Sequence, residues 1–349
     1  MHIRSIPPCA RARLGALLLA GTAAAAAPLH AQVPLAPSPV LNLGHLAVTP
    51  AWSGYIAGRQ TRRRDSTTFS LSRIRLTMQD RVLPSIAVRV QGGISNSGIG
   101  GSAASVGRFA FSDAYVQYSP TSDNAGIRAL RPSVIVGQFK MPFSLEYLTP
   151  YSHLETVQRS QAVNDIGIKR DIGVMGQLHL ARYAILDAAL ANGSGSNTTS
   201  NPDGQELAMG RLTVLPLPYL ALAAKWAGQG ADHHWGYDAR LMTHGAVVEG
   251  EVIQRRHPAD GGEATGSGGY TLASYTLLSW LQPVLKWERL DENADEVGGG
   301  ASTRSTWMTY GMNVVAPHDR VRLQLDWVVK SDHPVDHANE LLAQVLAIF

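Results

Sequence analysis

Ten residues near the carboxyl end, Val321-Arg-Leu-Gln-Leu-Asp-Trp-Val-Val-Lys330, change chemistry at almost every step. Val321, Leu323, Leu325, Trp327 and Val329 fall on one side, and Arg322, Gln324, Asp326 and Lys330 on the other, with Val328 the one mismatch. A period of two belongs to an extended strand with one oily and one wet face. The pattern recurs where Ile74, Leu76 and Met78 alternate with Arg73, Arg75 and Thr77, and where Ile86, Val88 and Val90 alternate with Ala87, Arg89 and Gln91. Leu285 and Trp287 against Lys286 and Glu288 repeat it again. An antiparallel sandwich with one solvated face alternates in the same way, so the pattern alone leaves both architectures open.

The N-terminal region separates from this pattern. Arg4, Arg11 and Arg13 precede an apolar run from Leu14 to Ala27, and Leu29-His30-Ala31 offers small residues for cleavage. Residues 1–31 are therefore expected to be a signal peptide and residues 32–349 the exported domain. Past residue 31 no apolar stretch reaches 18 residues, the minimum for a membrane-crossing helix. A closed barrel is the other structure that satisfies every backbone polar group in lipid.

The connections favour the barrel over the sandwich. Strands placed at 51–60, 68–79, 85–94, 107–118, 132–141, 171–179, 183–191, 205–214, 219–227, 235–242, 246–255, 269–278, 283–290, 305–315, 320–329 and 340–349 make sixteen. Connections leaving even strands are mostly short, as at Asp80–Pro84, Leu180–Arg182 and Met242–Gly245, with Ser119–Arg131 the exception. Those leaving odd strands are longer and rich in Gly, Ser, Asn and Asp, as at Asn192–Gly204, Arg256–Gly268 and Asp291–Arg304. Outer-membrane barrels sort short turns to the periplasm and long loops outward, and a sandwich has no reason to do so. The final segment, Leu341 to Phe349, is an apolar strand whose terminal ring is expected at the membrane interface, closing the sheet against the first strand. Tyr118, Tyr183, Tyr219 and Trp280 fall near the same periplasmic turns, where an aromatic girdle belongs.

Charge and cysteine content exclude several functions. The formal charge is +3, but the three leader arginines have no acid beside them, and removing them leaves a neutral remainder. Nucleic acid is thus not an expected partner. The single cysteine, Cys9, lies in the leader, so thiol catalysis and cysteine-ligated metals are not expected. His-Glu-x-x-His, Gly-x-Ser-x-Gly and Walker-type phosphate loops are absent, and no cofactor is expected. His333 and His337 are four apart with Asp332 and Asp336 adjacent, and His233 and His234 are consecutive; both pairs are expected in solvated external loops. Arg62-Arg63-Arg64 is expected in the first external loop as a basic turn able to meet lipopolysaccharide phosphates. Glycine-rich Gly98–Gly107 lacks the following helix that a nucleotide loop needs.

From Phe69 onward the chain resembles the phosphate-selective porin O and P family. The stretch VGQFKMPFSLEYLTPYSHLETVQRSQAV from Val136 to Val163 carries the resemblance, followed by RDIGVMGQL from Arg170 to Leu178. FSDAYVQYSP at Phe111–Pro120 and the closing LLAQVLAIF are weaker matches. The resemblance implies a bacterial outer-membrane, trimeric, sixteen-stranded barrel whose third external loop folds inward and narrows the pore.

The residues themselves point the same way. Gln138 and Lys140 alternate with Gly137, Phe139 and Met141, which sets Gln138 and Lys140 toward water. The following segment is too long for a hairpin turn, and Leu145, Tyr147, Leu148, Tyr151, Leu154 and Val157 need a packing surface that the barrel interior supplies. Arg159, Lys169 and Arg170 would then join Lys140 in the lumen. Two readings follow: a cationic zone that draws anions, or cations paired with Glu146, Glu155, Asp165 and Asp171 to hold the loop. The wall looks mixed in sign, because Arg73, Arg75, Arg89, Arg211, Lys225, Arg240, Lys286 and Arg322 are matched by Asp238, Glu249, Glu251, Glu288 and Asp326.

The sequence thus predicts a passive channel for small hydrophilic solutes, general or weakly anion-preferring, without phosphate assigned as the solute. A barrel enzyme of lipase or protease type and a soluble periplasmic binding protein are the alternatives. A closed barrel resists detergent until heated, so the purified chain should migrate faster on a gel before boiling than after, whereas a soluble β-protein should show one mobility. Stepwise single-channel conductance should separate a pore from a barrel enzyme.

Overall fold

In the computed structural model the described residues are 50–95, 109–122, 124–180, 182–259, 262–292, 303–316, 319–331 and 339–349. The expected leader, Gly98–Gly107, and Asp332, His333, Asp336 and His337 lie outside them. Among the described residues, sixteen antiparallel strands close on themselves, each paired with its sequence neighbours and the first with the last. They are β1 Ala51–Arg63, β2 Ser66–Leu83, β3 Ile86–Ser95, β4 Ala110–Tyr118, β5 Ser133–Lys140, β6 Arg170–Leu180, β7 Ala184–Ala191 and β8 Leu207–Leu217. Then follow β9 Leu220–Gln229, β10 Asp232–Thr243, β11 Ala246–Ala259, β12 Gly262–Tyr275, β13 Leu281–Glu292, β14 Thr303–Val315, β15 Val321–Ser331 and β16 Glu340–Ile348. No described helix is long and apolar enough to cross a membrane.

The period-two pattern is the reason these strands form a wall with two solvents. Along β15 exposure alternates from Val321 to Val328, with Leu323, Leu325 and Trp327 exposed and Arg322, Gln324 and Asp326 buried. The exposed set faces lipid, and the buried polar set faces the barrel interior. Val328, the mismatch in the sequence pattern, is 3% exposed and points inward, where it packs with Val157, Trp307 and Leu342. Tyr118, Tyr183, Tyr219 and Trp280 are exposed at the end of the barrel where the short turns lie.

The seam is closed by β1 and β16, which pair from Tyr55–Ile348 to Arg62–Leu341. Beyond the last strand residue, the backbones of Gly54 and Phe349 exchange two hydrogen bonds, 2.8 and 3.0 Å long. The Phe349 ring lies over Gly54: a Cβ there would sit 2.7 Å from the ring and 2.6 Å from the Arg75 carbonyl oxygen.

Three expectations need correction. Arg62 and Arg63 belong to β1, and Arg63 pairs with Glu340 at 2.6 Å, so two of the three residues of the basic run are strand and only Arg64 is turn. Arg256–Gly268 is mostly strand, because β11 and β12 stay paired out to Ala259 and Gly262. Its polar and Gly-rich residues carry little hydropathy contrast, so the alternation that marks a strand in lipid is missing from the sequence there. His233 and His234 lie in β10, and His234 is buried with a ring nitrogen 3.0 Å from the Ile166 carbonyl oxygen. The connection Ser119–Arg131 holds a short helix, α1 Ala125–Leu130, capped by Asn124, whose side chain accepts from the Gly126 N–H.

Gly54→Val should disrupt closure at the seam. The expected result is a variant that assembles poorly and loses its unboiled fast mobility at a temperature at least ~10 °C lower than the parent, as overpacking against backbone implies.

Candidate functional site

Between β5 and β6 the chain makes a 29-residue excursion through two one-turn helices, α2 Leu145–Leu148 and α3 Gln161–Asp165, with a 3₁₀ turn at Tyr151–His153 between them. Serine caps start both helices: Ser144 Oγ accepts from the Tyr147 N–H and Ser160 Oγ from the Val163 N–H. Met141, Phe143, Leu145, Leu154, Val157, Ala162, Val163 and Ile166 are all at most 4% exposed. They bury themselves against inward-facing Met209, Ile253, Tyr270, Leu272, Val284 and Leu290, and against the second cluster of Ala57 and Leu346. Apolar residues at inward positions of an otherwise polar wall therefore mark where this segment docks.

Wall carboxylates hold its backbone. Asp326 accepts from the Val157 N–H at 2.7 Å, Glu288 from the Gln161 N–H at 3.2 Å, and Glu251 from the Ser144 hydroxyl at 2.9 Å. Glu146, within the segment, accepts from the Ser160 N–H at 2.7 Å and from Lys286 Nζ at 2.9 Å. Asn313 and Gln324 donate to the Glu155 and Leu154 carbonyls.

The same wall neutralises its own cations. Arg211 grips Asp238 with two bonds of 2.8 Å, Lys225 bridges Asp238 and Glu251, and Arg240 bonds Glu249 at 2.6 Å. Lys286 lies between Glu146 and Glu288, and Arg322 bonds Asp319 and the Leu154 carbonyl. Lys286 and Arg322, two of the expected pore-lining cations, are thus committed to holding structure on the β8–β16 side.

The β1–β6 side is different. Arg59, Arg73, Arg75, Arg89, Lys140, Arg159 and Arg170 converge there, and Asp113 is the carboxylate they share, bonded to Arg170 at 2.8 Å and Arg89 at 3.2 Å. Among the described residues no carboxylate lies within 4.0 Å of Arg59, Arg73, Arg75, Lys140 or Arg159. Neutral groups hold these cations instead. Lys140 Nζ donates to the carbonyls of Tyr147, Leu148 and Thr149, and Arg159 to those of Glu146 and Thr149, so both cations sit at the negative end of α2. Arg59 donates to the Tyr151 hydroxyl at 2.6 Å, and the Arg73 guanidinium lies 4.1 Å from the Tyr151 ring centre. Burial, with Arg73 and Arg170 close by, lowers the Arg159 pKa from its ordinary value. Arg75 is half-buried within the same cluster.

Of the other expected site residues, Lys169 is exposed, and its carbonyl accepts from the Met141 N–H. Gln138 does not line open water. It is 5% exposed and follows the parity of lipid-facing Val134 and Val136; its amide donates to the Phe111 and Ser112 carbonyls, and its oxygen accepts from the Asn197 N–H. The break begins at Gly137, which has φ +128° and whose absent Cβ would lie 2.3 Å from the Ala114 carbonyl oxygen. After that kink Gln138 and Phe139 are both buried, and strict alternation ends. Sequence reasoning missed Arg59, which lies outside the quoted motifs, and Asp113, which lies within FSDAYVQYSP but was given no role, and read Tyr147 and Tyr151 as packing residues only.

A model of the family described as phosphate-selective porin O and P matches residues 54–221, a span that includes β1–β8, the inward segment and the whole cationic side. Residues 54–221 belong to this porin family. A comparison with curated proteins finds no match. Solved structures share the barrel fold with this porin. OmpT of Vibrio cholerae in a trimer form superposes with a TM-score of 0.61 at 12% identity, covering 87% of this chain and 100% of that one. The outer-membrane channel DcaP of Acinetobacter baumannii gives 0.61 at 12% identity, with 88% and 100% covered. An anion-selective porin from Comamonas acidovorans gives 0.59 at 13%, with 86% and 100% covered. The chain is a channel-forming barrel of the bacterial outer membrane.

One group in the segment reports on its own packing. Burial and the neighbouring Glu249 carboxylate raise the Glu155 pKa to about 7, with Arg322 opposing. Below the usual carboxylate range both folded and unfolded chains hold this proton. Between that range and pH 7 only the folded chain does, so stability falls as pH rises through the window. Glu155→Gln should therefore raise the unfolding free energy measured by urea titration at pH 8, by up to ~3 kcal/mol, and leave it unchanged at pH 4.

Proposed function

We propose that this porin lets small hydrophilic solutes diffuse across the outer membrane with a preference for anions, that it does so without enzymatic turnover, and that the segment between β5 and β6 forms the narrow zone. One observation carries the preference: of seven cations on the β1–β6 side only Arg89 and Arg170 bond a carboxylate among the described residues, both to Asp113, while Arg59, Arg73, Lys140 and Arg159 are held by a hydroxyl, rings and carbonyls. Dipoles fix a cation in place without cancelling its charge, so the field reaching the lumen stays positive. The sequence reads as a wall of mixed sign, but in space the two signs are sorted. The acids pair on the β8–β16 side or bind loop backbone, and the uncancelled cations gather opposite. Arg73, Arg75, Arg89, Lys140, Arg159 and Arg170 are the proposed pore-lining set.

The resemblance to phosphate-selective porins makes phosphate and polyphosphate the first anions to try as blockers of chloride current. The trimer form of the Vibrio OmpT barrel supports a homotrimer here. Residues 1–31 serve, in this reading, as the export signal, and outer-membrane lipid and lipopolysaccharide surround the barrel.

Planar bilayers test the proposal. In a tenfold KCl gradient the reversal potential should give a chloride-to-potassium permeability ratio above ~2, and Arg73→Glu with Arg75→Glu should bring it to ~1 or below. A cation-selective parent would overturn the reading.

A further inference from the structure

Tyr147 occupies an unusual place in the cation cluster. Its ring centre lies 5.1 Å from the Arg159 guanidinium carbon, 5.5 Å from that of Arg170 and 5.6 Å from Lys140 Nζ. Its hydroxyl accepts from Arg170 at 2.9 Å, and its carbonyl accepts from Lys140 at 2.8 Å. Three cations from three different parts of the chain, the end of β5, the segment itself and the start of β6, therefore meet on one neutral residue. Among the described residues only Arg170 of the three has a carboxylate partner, Asp113.

Like charges gathered at this range repel, and unheld side chains of this length would swing apart or reach for distant acids. A ring face attracts cations through its quadrupole without neutralising them. The ring is itself fixed, because α2 starts at the Ser144 cap and its C-terminal carbonyls are taken by Lys140 and Arg159. We infer that Tyr147 is a positioning residue for ion selectivity: its ring gathers Lys140, Arg159 and Arg170 into one cationic patch, so that anion preference depends on a side chain that carries no charge.

This inference rests on the proposed anion preference, and the experiment separates the two. Reversal potential and single-channel conductance are measured in a KCl gradient for the parent, Tyr147→Phe, Tyr147→Leu and Arg159→Gln, each as the full-length purified barrel. Tyr147→Phe keeps the ring and should retain most of the parent's chloride-to-potassium ratio. Tyr147→Leu should lower that ratio by ~2-fold or more, at least half the drop caused by Arg159→Gln, although it removes no charge. A residue that merely packs the segment would lower the temperature of the gel-mobility change and leave the ratio intact. An unchanged ratio in Tyr147→Leu, with an anion-preferring parent and a reduced ratio in Arg159→Gln, overturns the inference and leaves the proposed function standing. A non-selective parent overturns both. Where the leucine variant does not assemble, Tyr147→Met, which fills similar space without a ring, takes its place under the same criteria.

Discussion

The architecture of the lumen depends on carboxylates in the wall accepting backbone N–H groups of the inward segment. A connection of this length placed inside a barrel brings its own peptide groups out of bulk water, and each must find a partner. Asp326, Glu288 and Glu251 supply acceptors from three separate strands, β15, β13 and β11. Charge-assisted bonds of this kind are among the stronger ones available to a backbone donor. Because the acceptors are spread along the wall, they fix the orientation of the segment as well as its depth, and the apolar contacts of Phe143, Val157 and Ile166 fill the space between them.

That choice of fastening has an electrical result. A carboxylate turned toward peptide N–H groups and a neighbouring lysine is a poor counter-ion for anything else. The acids of β10, β11 and β13 are occupied with Arg211, Lys225, Arg240 and Lys286, so Arg59, Arg73 and Arg75 of β1 and β2 and Arg159 of the inward segment have no carboxylate within 4.0 Å among the described residues. Neutral net charge over the chain beyond the leader is compatible with a strongly polarised interior, since a channel's field depends on where charges lie and not on their sum.

Much of the wall could be read from the sequence, because a strand in lipid has to alternate. All sixteen strands overlap the segments expected for them, and even the mismatch at Val328 has meaning as a docking contact. The reading failed where that constraint lapses. The outer part of the β11–β12 hairpin is polar and Gly-rich on both faces, so it looks like a loop while pairing as a sheet. His234, expected in a loop, is a buried residue of β10 whose ring meets the Ile166 carbonyl. Gln138 was misplaced because one glycine with positive φ breaks the parity of β5. The sorting of charge was not legible at all: which acid meets which base is decided across the barrel, between residues such as Glu146 and Lys286 that are 140 positions apart.

The seam between β1 and β16 sets the order in which such a molecule can come into being. Arg59 and Gln344, neighbours across it, are 285 residues apart along the chain, whereas every other strand pairs with the one beside it in sequence. Hairpins can form and add one to another at small entropic cost, but joining the two outer strands closes the longest loop in the fold and yields its reward only at the end. Until then two strand edges carry unpaired peptide groups that lipid penalises heavily. The clasp of Gly54 and Phe349 is therefore a feature of assembly kinetics as much as of stability. It belongs to the step at which an open, aggregation-prone sheet becomes a closed wall without edges.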